Sequence, residues 1–168
     1  MKAMKKILAL ALAGVMALAL LTGCGTGGSA SHKSIAKAME DYDRGVENNP
    51  DITYTSSAEL DAMLQTRAAD TGFEAVVKAV YTNNSAALSA IRSALSSNPA
   101  LSGKIVYLYC GKYDKDAGKQ AINLNAHSAC INTYTGRAPS LAAVRKIGLI
   151  TTSFTDDTTH EKVKVRFA

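Results

Sequence analysis

Three stretches of this chain bring together residue types that could do chemistry. Asp114-Lys115-Asp116-Ala117-Gly118 opens like a calcium loop, in which alternate carboxylates supply hard oxygen ligands. An EF-hand needs its glycine at position 6 and a bidentate Glu at position 12. Here Gly118 stands at position 5 and Asn125 at position 12, so the carboxylates read as turn formers. His127-Ser128 beside Cys130 invites a nucleophile with its base. The stretch alternates like a strand, where neighbours point to opposite faces, so His127 is badly placed to serve Ser128 or Cys130. No G-x-S-x-G elbow accompanies them. Asp156, Asp157 and His160 are metal-ligand types, but zinc or iron sites draw further ligands from elsewhere, and His32 is a poor candidate. A polar turn is expected there instead. The phosphate-cradling glycine motifs are also missing. We therefore expect no catalytic constellation, no metal and no cofactor.

Binding is the other chemistry available. The chain has seven tyrosines and no tryptophan, so any aromatic surface must be built from tyrosine. Tyr107, Tyr109, Tyr113 and Tyr134 fall in or beside strand-like runs and could line one sheet face, where a phenol tolerates half-burial because its hydroxyl stays wet. Ordinary core packing is the alternative. Cys110 and Cys130 admit a disulfide closing a loop of about 20 residues, with a contribution of about 3 kcal/mol in the chain-entropy model. Both also sit in apolar runs where a free thiol behaves as a small hydrophobe.

The elements that would carry these residues follow from hydrophobic periodicity. Ile35, Ala38, Met39, Tyr42 and Val46 recur at helical spacing over 33–46, and Asn48-Asn49-Pro50 ends the run. Residues 51–55 read as a short extended piece. Ser56 with Glu59, and Thr71 with Glu74, have capping-box spacing. The first opens a helix burying Leu60, Met63 and Leu64; the second opens one with Phe73, Val76, Val77, Val80 and Tyr81 on one face. Asn84 can cap a third helix carrying Leu88, Ile91 and Leu95, closed by Asn98-Pro99.

The period then changes. Residues 104–110 are rich in β-branched and aromatic types and read as a buried strand. A polar turn over 112–118 leads to alternation over 119–135. Ile122, Leu124, Ala126, Ser128, Cys130 and Tyr134 fall on one side, and Asn123, Asn125, His127 and Thr133 on the other. Pro139 and Ser140 open a short helix through Val144. Two last strands, over 148–155 and 161–167, form a hairpin around 156–160, with Val163, Val165 and Phe167 buried and Lys162, Lys164 and Arg166 wet. Helices followed by antiparallel strands predict an α+β fold.

The front of the chain supplies an address. Lys2, Lys5 and Lys6 precede fifteen uncharged residues, Ile7 to Leu21, too few for a spanning helix of roughly 20. A basic head, a short apolar run and small residues before a cut describe a signal peptide. Leu21-Thr22-Gly23-Cys24 resembles the lipobox of bacterial lipoproteins, a branched residue, two small ones and a cysteine. The resemblance covers the leader only. It implies cleavage before Cys24, a diacylglyceryl thioether and palmitate-type acylation there, and a domain held at the bacterial cell membrane facing away from the cytoplasm. Two acyl chains give stable attachment where one is marginal.

On that expectation the chain divides into a cleaved leader over 1–23, a flexible lipidated tether over 24–32 and one domain over 33–168. The 145 residues from Cys24 onward suit a single core. Loss of the leader lysines leaves 16 basic against 14 acidic residues, so the apparent basicity belongs largely to the leader and no nucleic-acid partner is expected. Residues 24–74 are net −5 and residues 75–168 net +7, which predicts either attraction between the halves or a basic face. The expected partners are the membrane, through the lipid on Cys24, and an envelope protein, polymer or small ligand. A non-enzymatic binding domain is the leading expectation, ahead of a small envelope enzyme or a structural component.

Overall fold

The computed structural model describes residues 30–96, 104–130 and 144–168. Among these residues the fold is α+β, with most helices preceding a mainly antiparallel sheet. Helix α1 (His32–Glu47) starts at Ser31, whose hydroxyl accepts the Ser34 N–H at 3.1 Å. It ends at Asn48, in the left-handed region at φ 49°. Strand β1 (Thr53–Ser56) follows, then helices α2 (Ala58–Ala68), α3 (Phe73–Tyr81) and α4 (Ser85–Ser96).

Two caps differ from expectation. β1 pairs through Ser56 with Ile147, so α2 starts one residue later and Ser57 is its cap. No residue of α2 is fully buried, and Met63 is 51% exposed. The expected Thr71–Glu74 box does not form. Gly72, at φ 101°, caps α3 without a side chain, and Glu74 instead accepts the Thr155 N–H at 2.7 Å. Asn84 caps α4 as expected, its Oδ1 accepting the Ala87 N–H at 3.0 Å.

The sheet has the order β3-β2-β6-β5, all antiparallel, from β2 (Tyr107–Lys112), β3 (Ser128–Cys130), β5 (Ile150–Thr155) and β6 (Lys162–Phe167). The β5–β6 hairpin is the one expected from sequence, turning through His160 at φ 57°. β4 (Val144–Ile147) instead pairs in parallel with β1, so Val144 opens a strand rather than closing a helix. The rest of that expected helix, Thr133, Tyr134 and Asn98-Pro99 lie outside the described residues.

Residues 119–126 depart furthest from the expected strand. They belong to helix α5 (Ala117–Ala126), and among the described residues the alternating pattern survives as a strand in β3. Asp116 accepts the Lys119 N–H at 2.8 Å as N-cap, and Gln120, Ala121 and Leu124 form the buried face. Ile122, expected inside, is 56% exposed. Alternating apolar positions two apart overlap a helical stripe over so short a run. What decides is packing: a Cβ on Gly111 would lie 2.4 Å from the Asn123 carbonyl carbon, so the bare strand lets the helix backbone rest on β2. Within β3 the faces are also inverted, with Ala129 buried and Ser128 exposed.

Two cores result, one on each face of the sheet. Val77, Val80 and Leu88 from α3 and α4 pack on Cys110, Phe154, Val165 and Phe167. Ile35, Ala36 and Met39 from α1 meet Ala121 and Leu124 from α5 with Ile147 and Leu149. Arg166, expected wet, is 3% exposed, and its Nη2 donates to the Ala30 carbonyl at 3.1 Å. Ala30, Ser31 and His32, expected in the tether, are part of the domain. Ala30 N–H donates to the Lys115 carbonyl, and His32 Nδ1 lies 2.9 Å from Asp61.

Candidate functional site

The buried face of α1 is rotated from the expected stripe. Glu40 and Asp43 are buried at 8% and 6% exposure, while Tyr42 and Val46 are 37% and 68% exposed. The rotation points Asp43 and Glu47, one turn apart, towards the end of the helix that meets β1 and β4. Like charges at that spacing repel, so the pair needs a cation. Arg145 supplies it: Nη1 donates to Asp43 Oδ2 at 2.6 Å, and Nη2 donates to both Glu47 oxygens at 2.8 and 3.0 Å.

Parallel pairing of β1 with β4 places Tyr54 beside Arg145. The Tyr54 hydroxyl donates to Asp43 at 2.7 Å and lies 3.4 Å from the Tyr109 hydroxyl. The Arg145 guanidinium lies 5.5 Å from the Tyr54 ring centre. Burial depresses the Arg145 guanidinium, but hydrogen bonds from it to Tyr54 and Glu47 outweigh that and raise its proton affinity. Burial raises the phenols of Tyr54 and Tyr109. Beneath this group Glu40 accepts the Tyr54 N–H at 3.0 Å and the Lys37 ammonium at 2.6 Å, contacts that hold its carboxyl below the usual value.

Above the ion cluster lies a cleft of about 250 Å³ lined by Tyr42, Glu47, Tyr107, Tyr109, Asn125 and Arg145, among others. Tyr107 and Tyr109 alternate on β2 and stack with centroids 6.0 Å apart. Burial pushes the Tyr107 phenol up to about 12, although the residue remains 37% exposed at the rim. Asn125 is oriented by bonds from its amide to the Met39 sulfur at 3.2 Å and the Ala121 carbonyl at 3.1 Å. With two carboxylates against one guanidinium the cleft is net negative by one charge. Its walls offer aromatic faces, phenols and an amide, which suits recognition of a cation.

The tyrosines expected to share a platform are divided. Tyr107 and Tyr109 line the cleft. Tyr113 lies elsewhere, with Lys164 Nζ 4.0 Å and the Arg166 guanidinium 5.3 Å from its ring centre, and Tyr134 is outside the described residues. Of the two readings left open for Cys110 and Cys130, the structure has them unbonded to each other, and the strand register explains why. Cys130 pairs with Tyr107 and shares its face, whereas Cys110 pairs with Phe167 on the other, a geometry that no disulfide spans.

The remaining chemical clusters serve the fold. Asp116 caps α5, and Asp114 accepts the Asp116 N–H at 2.8 Å. His127 stacks on Tyr81 at 4.6 Å, away from Ser128, which lines the cleft. Asp156 accepts the Thr158 and Thr159 N–H groups at 2.8 Å, which hold its carboxyl low, while Asp157 pairs with Lys78 and His160 is exposed. Among the described residues no group of three His, Cys, Asp or Glu could hold a metal ion.

Sequence reasoning missed Asp43, Glu47, Tyr54 and Arg145. A signal existed in the carboxylates one turn apart on an otherwise amphipathic helix. Their partner lies 98 and 102 positions away on β4, beyond the reach of any local pattern. Neither a family model, a curated protein nor a solved structure matches this chain.

Proposed function

We propose that this chain is an exported bacterial lipoprotein, held at the membrane through Cys24, whose domain binds a ligand bearing a protonated amine or quaternary ammonium. The carrying observation is the cleft lined by Tyr107 and Tyr109, in which the two carboxylates of Asp43 and Glu47 share the one guanidinium of Arg145 and leave a net charge of −1. A cation over these rings gains electrostatic attraction from each face, more so where water is partly excluded. His127 and His160 lie away from this cleft, so neither supplies a base there, and the arrangement favours holding a ligand over transforming it.

Two measurements test the reading. NMR titration with choline and lysine amide should shift Tyr107 and Tyr109 resonances, and acetate or glucose should not. Loss of the choline response in Tyr107→Leu, with an unchanged spectrum elsewhere, supports the cleft. A response to acetate but not choline refutes the charge argument. For the anchor, Cys24→Ala should abolish fatty-acid labelling and leave an uncleaved precursor; labelling that persists rules the anchor out.

A further inference from the structure

We infer that the face around Ala30 is a membrane-docking surface for anionic lipid headgroups, which orients the domain on the bilayer. The inference rests on the lipid anchor at Cys24 proposed above. The position of Ala30 carries it. Its N–H donates to the Lys115 carbonyl at 2.9 Å, and its carbonyl accepts from Arg166 Nη2 at 3.1 Å, so the chain enters the domain at a fixed point. From Cys24 to Ala30 there are six Cα–Cα steps, which reach at most about 21 Å. Whatever side of the domain carries Ala30 is therefore held near the lipid.

That side is basic. β6 places Lys162, Lys164 and Arg166 on one sheet face, opposite Thr155, Ser153 and Thr151 of β5. Lys162, Lys164 and Lys115 are exposed. Tyr113 lies under Lys164 and Arg166, an amphipathic ring suited to the headgroup layer. Segments 112–119 and 161–166 hold six of the 16 basic and three of the 14 acidic side chains that follow Cys24. They are thus net +3 and leave the remainder of that chain at −1. Two of those three acids, Asp114 and Asp116, are turned to loop and helix N–H groups. Of the two expectations for the charge asymmetry, attraction between the halves holds at Arg145, and the lysines at the chain entry form a basic face.

Apposition to an anionic leaflet strengthens with each lysine brought within a Debye length of the surface and weakens with salt. The test uses the mature protein with its own anchor, reconstituted in vesicles of phosphatidylcholine alone or with added phosphatidylglycerol. Exposed lysines are acetylated briefly and quantified site by site. The expected result is acetylation of Lys115, Lys162 and Lys164 at least threefold lower in the phosphatidylglycerol vesicles, restored by high salt, with Lys104 before the far end of β2 unchanged. Lys162→Gln/Lys164→Gln should remove the difference at Lys115. Flotation with the vesicles but equal acetylation in both overturns the docking face and leaves the anchor standing. Failure to float, with Cys24 unmodified by mass, overturns both. Protection by added polyphosphate but not by phosphatidylglycerol assigns the face to a polymeric anion and overturns the lipid.

Discussion

Gly111→Ala probes the close contact between β2 and the backbone of α5. In a β-strand this replacement ordinarily helps, because glycine costs more backbone entropy than alanine. Here the added Cβ would sit 2.4 Å from the Asn123 carbonyl carbon, 2.5 Å from its oxygen and 2.6 Å from the Leu124 nitrogen. Carbon atoms are comfortable at about 3.5 Å, so α5 or β2 must move by about 1 Å. The obstacle is helix backbone, which cannot change rotamer. We therefore expect the upper end of overpacking costs, about 3 kcal/mol. For a domain of this size that lowers Tm by about 10 °C. Gly45→Ala is the matched control, since it lies within α1 with nothing within 4 Å of the new Cβ and should stabilise by about 0.5–1 kcal/mol. Urea unfolding followed by circular dichroism measures both. If Gly111→Ala is as stable as the parent, α5 does not rest on β2 and residues 117–126 are not packed as described.

Arg145→Met should destabilise by about 2–4 kcal/mol, since it leaves the Asp43 and Glu47 carboxylates facing each other with side-chain exposures of only 8% and 24%. Adding Glu47→Gln should recover part of that loss, and a neutral single mutant in urea would mean the pair contributes nothing. In the native protein iodoacetamide should modify Cys130 and spare Cys110, which is fully buried with its thiol pushed up to about 12, and unfolding should free it for reaction. A protein with no reactive thiol even when unfolded would reinstate the disulfide. Tyr107 should ionise near 12 rather than at the ordinary 10.0, and Tyr54 and Tyr109 are also raised. A phenol whose folded value is raised holds its proton more tightly when folded, so this contribution to stability is intact below about 10 and is lost as pH rises towards 12. Phenolate absorbance that titrates entirely near 10 would show the cleft tyrosines to be open to water. Glu40 has the opposite sign: its lowered value makes a contribution present above 4.5 that is lost as pH falls below it, and Glu40→Gln should flatten the acid limb of the stability curve.

Local chemistry alone determined much of this protein. The α1, α3 and α4 helices were legible because their apolar spacing runs for two turns or more, with Asn48 and Asn84 marking ends. The β5–β6 hairpin was legible because Val163, Val165 and Phe167 alternate around a polar turn. Both signals arise from neighbours in sequence, so no tertiary knowledge was needed. The tertiary structure decided the rest. Residues 119–126 alternate and also carry a helical stripe, and the bare backbone of Gly111 selected the helix. Arg166 looked like an outward charge, yet it is buried and donates to the carbonyl of Ala30, 136 positions away. Cys110 and Cys130 could be joined on paper, yet register sends them to opposite faces. The cleft was the least legible feature, because its ion cluster needs α1 turned so that Asp43 faces inward and β4 laid parallel to β1, bringing Arg145 across 102 positions to meet it. Such a contact leaves no periodic trace, since its residues are neighbours only after the chain has folded.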